Sequence, residues 1–236
     1  MYAVHIHSFS VAGGRTPNED ACLSSVRSRW REAALCAVSD GQGGQPGGAA
    51  AASLACESVV GLAERCPPPC LHWPVAWRSM ARRADRRVRA SPGAGFCTLV
   101  ALAVTGRRVS GAACGDSAAV LAVGNDPTRF LTREQRKDPP VGSGRARFTF
   151  FTARVSRRKP WTLLMMTDGV WKFTGVDPVI EAAIGNAPGP EIVRRLREAA
   201  ARNGPLLRRS MRDDFTVLVV QNRREPDGGP GRDDDD

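Results

Sequence analysis

Four aspartates in this 236-residue chain share one kind of position, at the end or the start of an apolar run that resembles a β-strand. They are Asp40 after 33–39, Asp116 after 109–115, Asp168 after 163–167 and Asp213 before 215–220. Because strand ends meet at the edge of a sheet, we expect these carboxylates to converge on one place.

A convergent set of carboxylates has a chemical use. Such groups repel one another and are costly to desolvate, so they are tolerated mainly where a cation neutralises them. Ligands that offer only oxygen atoms suit hard cations such as Mg²⁺ or Mn²⁺. Two such ions about 3.5–4 Å apart can share a water, lower its pKa and present a hydroxide to a phosphorus atom. The aspartates therefore point to phosphoester hydrolysis.

Apolar periodicity predicts the elements that must carry these residues. We expect strands at 3–11, 21–26, 33–38, 96–104, 108–114, 118–123, 128–131, 147–155, 161–167 and 214–220. Helical spacing predicts helices at 48–62, 74–89, 177–184 and 190–202. Residues 96–131 have the pattern of an antiparallel meander, and the whole arrangement indicates two sheets flanked by helices.

Bulk composition narrows the class of protein. A hydrophobic content of 42% suffices for one compact domain, and no apolar stretch is long enough to span a bilayer. Seven cysteines, several of them in apolar runs, suit a reducing compartment, so we expect a cytoplasmic protein without a membrane partner. The net charge of +10 comes almost entirely from arginine amid Ala, Gly and Pro, a pattern that does not favour a nucleic-acid partner.

Five short blocks, in order along the chain, resemble those of the protein phosphatase 2C family, the metal-dependent Ser/Thr protein phosphatases. The blocks are Arg15-Thr16-Pro17-Asn18-Glu19-Asp20, Val38-Ser39-Asp40-Gly41-Gln42-Gly43-Gly44, Gly115-Asp116-Ser117, Met166-Thr167-Asp168-Gly169-Val170-Trp171 and Arg212-Asp213-Asp214-Phe215-Thr216-Val217. Any one of them alone would be a weak signal, and an isolated aspartate is more often a turn or cap residue. Their joint order indicates a compact bacterial-type member of the family.

The resemblance implies a fold and a division of labour. The fold would be an α+β, four-layer α-β-β-α sandwich, with two mainly antiparallel sheets packed face to face and helices outside. The catalytic domain would span 1–222, and 223–236, rich in Gly, Pro and charge, would be a disordered acidic tail. By resemblance the site would hold two Mn²⁺ or Mg²⁺ ions. Asp40 would bridge both ions, the Gly41 carbonyl would bind the first, and Asp168 and Asp213 would bind the second. Glu19 would act through water, Asp116 would form a weak third site, and Arg15 would clamp the phosphate.

Two residues depart from the family pattern. Lys172 stands where an acid commonly follows the tryptophan and helps to bind a third metal, so we expect that third site to be weak or empty. Gln42 stands where some members carry a histidine, and an amide cannot protonate a leaving group. The segment 133–160 is also shorter than usual, which affects substrate recognition.

Three functions remain as hypotheses. The leading one is an enzyme that hydrolyses phosphoserine and phosphothreonine in proteins, acting as a monomer and counteracting a Ser/Thr protein kinase. Gln42 and Lys172 motivate the second, a non-catalytic phosphopeptide-binding module of the same fold. Charge alone motivates the third, a basic nucleic-acid-binding protein, whose DNA binding would be steeply salt-dependent.

Overall fold

The structure, a computed structural model, describes residues 2–14, 17–27, 33–44, 46–132, 139–203 and 213–224. Its strands are β1 (Tyr2–Val11), β2 (Asp20–Arg27), β3 (Ala33–Asp40), β4 (Leu99–Thr105), β5 (Arg108–Cys114), β6 (Ala118–Val123), β7 (Arg129–Phe130), β8 (Thr149–Arg154), β9 (Trp161–Met166) and β10 (Phe215–Arg224). Its α-helices are α1 (Gly48–Arg65), α2 (Pro74–Ala90), α3 (Asp168–Thr174), α4 (Val176–Ile184) and α5 (Gly189–Asn203), and a short 3-10 helix covers Pro68–His72.

Two antiparallel sheets stack between two layers of helices. The first sheet has the strand order β1-β10-β9-β6-β7, and the second has the order β2-β3-β4-β5-β8. Helices α1 and α2 pack on the outer face of the second sheet, whereas α3, α4 and α5 pack on the outer face of the first. The predicted four-layer α-β-β-α sandwich is therefore confirmed.

The central strands are continuous apolar runs because both of their faces are buried. In β3, Leu35 and Ala37 face the helices, while Cys36 and Val38 face the opposite sheet. A strand covered on both faces loses the alternation of polar and apolar residues that marks a half-exposed one. This double burial explains why runs of small and branched apolar residues predicted most of the strands.

Most boundaries lie within a few residues of their predictions, with two informative exceptions. β4 begins at Leu99 rather than at residue 96, because Cys97 instead forms isolated bridges to Gly41 and Val141. β10 continues through Arg223 and Arg224, which pair with β1, so the strand extends two residues into the segment predicted to be a tail. The remainder of that segment lies outside the described residues.

The predicted meander over residues 96–131 is wrong. β5 pairs with β4 and β8 in the second sheet, whereas β6 pairs with β7 and β9 in the first. The three residues from Gly115 to Ser117 therefore cross from one sheet to the other. Gly115 has φ 95°, and a Cβ there would lie 2.6 Å from Thr98 Cγ2, so this crossing requires glycine.

Helix α3 was not predicted from the sequence. It is only seven residues long and contains Gly169 and the β-branched Val170, both poor helix formers. Its position between β9 and α4 fixes it by packing: Val170 is fully buried in the core between the first sheet and its helices. Local propensity was too weak to reveal an element that tertiary contacts stabilise.

Two observations bear on the cellular setting. Every helix in the described ranges is either too short or too polar to traverse a lipid bilayer. All seven cysteines lie in the described part of the chain, and no disulfide joins any of them. The cytoplasmic location stays a prediction.

Candidate metal centre

The acidic cluster forms where both sheets end on the same side of the sandwich. Asp40 is the last residue of β3, Asp168 follows β9 as the first residue of α3, and Asp116 lies in the crossing between β5 and β6. Carboxylate oxygens of these three residues all lie within 4.8 Å of one another. The sequence predicted convergence at one edge of one sheet, which is wrong in detail, since the carboxylates come from both sheets.

A cleft of about 320 Å³ opens onto this cluster. Its lining includes Glu19, Asp40, Gly41, Asp168 and Asp213, together with Gln42, Gly43, Cys97, Thr98, Pro140 and Asp214. Larger clefts of about 640–680 Å³ lie elsewhere, and they are lined mainly by arginines or prolines rather than by convergent acids. The chemistry of the lining, not the volume, identifies the 320 Å³ cleft as the candidate site.

Thr98 fixes the strand ends on which the cluster is built. Its hydroxyl accepts a hydrogen bond from the Asp40 amide at 2.9 Å and lies 2.7 Å from the Ser117 hydroxyl. The Ser39 hydroxyl donates to the Thr98 carbonyl at 2.6 Å. A single buried threonine therefore links the end of β3 to the crossing that carries Asp116, which holds Asp40 and Asp116 at a fixed separation.

Two aspartates of the site, Asp40 and Asp20, have raised pKa values, which indicates that the negative charges there need a neutralising cation. Burial raises the pKa of Asp40, and the charges of Asp20, Asp168 and Asp213 raise it further. Burial also raises the pKa of Asp20 to about 7, although hydrogen bonds from Thr216 and Thr167 oppose that rise. Buried acids that hold protons near neutral pH in the absence of a cation release them when a divalent ion binds. The oxygen-only donor set thus fits hard cations such as Mg²⁺ or Mn²⁺.

Lys172 lies against the same cluster. Its ammonium forms ion pairs with Asp168 Oδ2, four residues earlier on α3, and with Asp116 Oδ2 at 3.2 Å. Burial lowers the pKa of this ammonium, but hydrogen bonds and charges from Asp168 and Asp116 outweigh it and leave the pKa well above its ordinary value. Lys172 is therefore a permanent positive charge beside the carboxylates.

The predicted site residues divide into three groups. Asp40, Asp116 and Asp168 come together directly, while Asp213, Glu19 and Gly41 line the same cleft. Arg15, predicted to clamp the phosphate, lies outside the described residues. Part of the short 133–160 segment is described, and its Pro140 lines the cleft.

Asp214 has a structural role that the sequence did not predict. Its Oδ1 accepts a hydrogen bond from the Gly13 amide at 2.8 Å, and its Oδ2 accepts one from the Glu19 amide at 2.6 Å. These contacts tie the connection between β1 and β2 to the start of β10. The doublet of Asp213 and Asp214 was the available signal, because the side chains of consecutive residues at the start of a strand leave the backbone in different directions.

Replacing Asp214 with alanine should destabilise the chain and loosen Glu19. Two half-buried amides would lose a charged acceptor, which costs about 1–3 kcal/mol for each donor left unsatisfied. Urea unfolding in EDTA measures this loss, and Asp214→Asn, which keeps one acceptor oxygen, should lose less. Equal stability of the alanine variant and the wild type would refute the role given to Asp214.

A second acidic residue, Asp85, holds the loop that contributes Pro140 to the cleft. Asp85 on α2 is buried, and its Oδ1 accepts hydrogen bonds from the amides of Gly142 at 2.7 Å and Gly144 at 3.2 Å. These bonds anchor the loop that continues from Pro140 to the helix layer. The loop that brings Pro140 to the cleft is thus held by hydrogen bonds from its backbone amides to a buried carboxylate.

Comparison with solved structures agrees with this architecture. PppA, described as a key regulatory component of T6SS in Pseudomonas aeruginosa, is 22% identical with a TM-score of 0.69, and the match covers 93% of this chain and 98% of PppA. Serine/threonine phosphatase Stp1 from Staphylococcus aureus is 17% identical with a TM-score of 0.75, over 92% and 94% of the two chains. RsbX in complex with magnesium is 16% identical with a TM-score of 0.66, over 94% and 100%. At these identities the likeness establishes the fold.

The family follows from the sequence itself. No curated protein matches the sequence significantly. The family model described as Protein phosphatase 2C, however, matches residues 10–188, which is most of the chain and includes the blocks around Glu19, Asp40, Asp116 and Asp168. The chain therefore belongs to the protein phosphatase 2C family of metal-dependent serine/threonine protein phosphatases.

Proposed function

We propose that this chain is an active phosphatase that removes phosphate from phosphoserine and phosphothreonine in proteins, using two Mn²⁺ or Mg²⁺ ions. The observation that carries the proposal is the convergence of Asp40 and Asp168, whose oxygens lie within 4.8 Å of each other, with Glu19, Gly41 and Asp213 on one acidic cleft. The structure of RsbX with magnesium supports the choice of a hard divalent ion. The fit of oxygen ligands to such ions supports it independently.

The chain's own residues would share the work as follows. Asp40 would bridge the two ions, Asp168 and Asp213 would hold one of them, and the Gly41 carbonyl and Glu19, through water, would complete the set. Bound there, the ions would supply an activated water and neutralise charge on the phosphoryl oxygens. Thr98 would keep Asp40 in place through its hydrogen bond to the backbone.

Substrate positioning falls to residues at the rim. Arg15 would donate two parallel hydrogen bonds to phosphoryl oxygens, a task that suits the planar guanidinium better than a lysine ammonium. Gln42 lines the cleft and could orient the phosphate, but its amide cannot protonate the departing serine or threonine oxygen.

Hydrolysis of p-nitrophenyl phosphate and of a phosphothreonine peptide tests the proposal. The chelator-treated chain should be inactive, and Mn²⁺ should restore turnover of both substrates, because the carboxylates alone cannot activate water. Phosphate release in a Mn²⁺ titration is the measurement. No Mn²⁺-dependent turnover of either substrate would refute the proposal.

Phosphopeptide binding in EDTA, measured beside phosphate release, tests the competing hypothesis. A phosphopeptide-binding module of this fold would bind the peptide tightly in EDTA and release no phosphate with Mn²⁺. An active enzyme would act on phosphorylated proteins in the cytoplasm, as a monomer, and oppose a Ser/Thr protein kinase. Size-exclusion chromatography with light scattering checks the monomer.

A further inference from the structure

Within the described residues, a positively charged side chain, that of Lys172, lies against the acidic cluster. Lys172 Nζ contacts Asp168 Oδ2 and lies 3.2 Å from Asp116 Oδ2, so one ammonium bridges two of the three clustered carboxylates. The neighbouring Trp171 donates its indole N–H to the Asp116 carbonyl at 3.0 Å. Two consecutive side chains of helix α3 thus contact Asp116, in the segment that connects the two sheets.

This ion pair differs from an ordinary surface pair in its burial. The side chain of Asp168 is 6% exposed and that of Asp116 is 17% exposed, whereas Lys172 is 39% exposed. The lysine therefore reaches from solvent to carboxylates that are largely removed from water. Exposed pairs contribute little, but removing the cation from buried carboxylates leaves uncompensated charge.

A divalent ion and the ammonium cannot use the same space. An ion bound by Asp116 Oδ2 and Asp168 Oδ2 would sit about 2.0–2.6 Å from both oxygens. The ammonium already contacts these two oxygen atoms. Two positive charges at that separation also repel strongly.

We infer that Lys172 is a built-in cation that fills the position between Asp116 and Asp168 and limits the centre to two divalent ions. This inference rests on the proposed function, because it concerns the number of ions that the same centre holds. Asp116 then serves as the anchor of α3 rather than as a metal ligand. Lys172 is accordingly a positioning residue, which acts through the carboxylates that it holds.

The inference is tested by counting ions rather than by activity. Mn²⁺ is titrated calorimetrically into the chelator-treated full-length chain, and bound Mn²⁺ is counted after gel filtration. The wild type should bind two ions. Lys172→Glu, which replaces the ammonium with a third carboxylate facing Asp116 and Asp168, should bind a third, weaker ion, and adding Asp116→Asn to that variant should abolish it.

Matched variants separate charge from shape. Lys172→Arg keeps the cation and should bind two ions, and circular dichroism and thermal unfolding identify any variant that fails to fold. If Lys172→Glu does not fold, Lys172→Gln gives the same test, because loss of the cation alone should admit a weak third ion that Asp116→Asn removes.

Two results would overturn the inference itself, and a third would refute the proposed function on which it rests. The first is a wild-type chain that binds three ions and loses one on Asp116→Asn. The second is a folded Lys172→Glu variant that still binds two. The third, a wild-type chain that binds no Mn²⁺, would instead refute the proposed function, and the inference would fall with it.

Discussion

Changing Asp40 to asparagine should reduce Mn²⁺-dependent phosphate release by at least about 100-fold, since loss of mere supporting contacts around metal ligands already costs about 10–100-fold. The substitution keeps the shape of the side chain but removes its negative charge and one of its two carboxylate oxygens. As the proposed bridging ligand, Asp40 would contribute to holding both ions. Initial rates with p-nitrophenyl phosphate over a Mn²⁺ titration measure the effect.

The same substitution should stabilise the metal-free chain, and more so at higher pH. The pKa of Asp40 is raised above its ordinary value of 3.8 by burial and by Asp20, Asp168 and Asp213. A raised pKa means that the folded chain binds the proton of Asp40 more tightly than the unfolded chain does. The stability that this proton contributes is therefore full below pH 3.8 and is lost as the pH rises through the folded-state pKa. Asparagine never ionises, so its stability advantage over the wild type should grow from pH 5 to pH 8.

Urea unfolding of both chains in EDTA at these two pH values provides the measurement. Asp126→Asn is the matched control, because Asp126 is exposed in a turn at the opposite end of the sandwich. That control should change neither turnover nor the pH dependence of stability. Retained Mn²⁺-dependent turnover in Asp40→Asn, or an advantage that shrinks with pH, would contradict the assignment.

The core of the site was predictable because its residues are held by strands with an unmistakable pattern. β3 and β9 are buried on both faces, so their apolar runs revealed where each strand ends. Asp40 and Asp168 could therefore be placed at these strand ends. The residue types then indicated hard cations without any knowledge of the fold. Local pattern and chemistry agreed at these two positions.

The rest of the site depends on contacts between distant segments. The crossing at Gly115 and Asp116 was misread because strand patterns do not state which sheet a strand joins. The short helix α3 was invisible to propensity, and with it the four-residue spacing that brings Lys172 onto Asp168. Asp214 acts through the amides of residues some 200 positions earlier in the chain, which no local signal reports.

Changing Gly41 to alanine should destabilise the chain and weaken Mn²⁺ binding together. A Cβ at this position would lie 2.4 Å from the Gly48 carbonyl carbon, 2.5 Å from the Gly48 oxygen and 2.6 Å from the Glu19 oxygen. All three atoms belong to the backbone, so no side chain can rotate away, and the segments themselves must move apart. Overpacking of this kind costs about 1–3 kcal/mol, and occasionally more.

The movement would also damage the centre, because Gly41 joins three of its parts. It directly follows Asp40, its amide donates to the Glu19 carbonyl at 3.1 Å, and it abuts the first residue of α1. Pushing Glu19 away from Asp40 should therefore raise the Mn²⁺ concentration needed for half-maximal turnover. Urea unfolding and a Mn²⁺ titration of phosphate release measure the two effects on one preparation.

Gly61→Ala is the matched control, since it makes the same chemical change where nothing lies within 4 Å of the added Cβ. Gly61 is within α1, so alanine there should stabilise the chain by about 0.5–1 kcal/mol through helix propensity and leave Mn²⁺ dependence unchanged. The two substitutions should thus have opposite signs for stability. If both stabilise the chain equally, Gly41 is not the tight junction between β3, α1 and Glu19 that its backbone contacts describe.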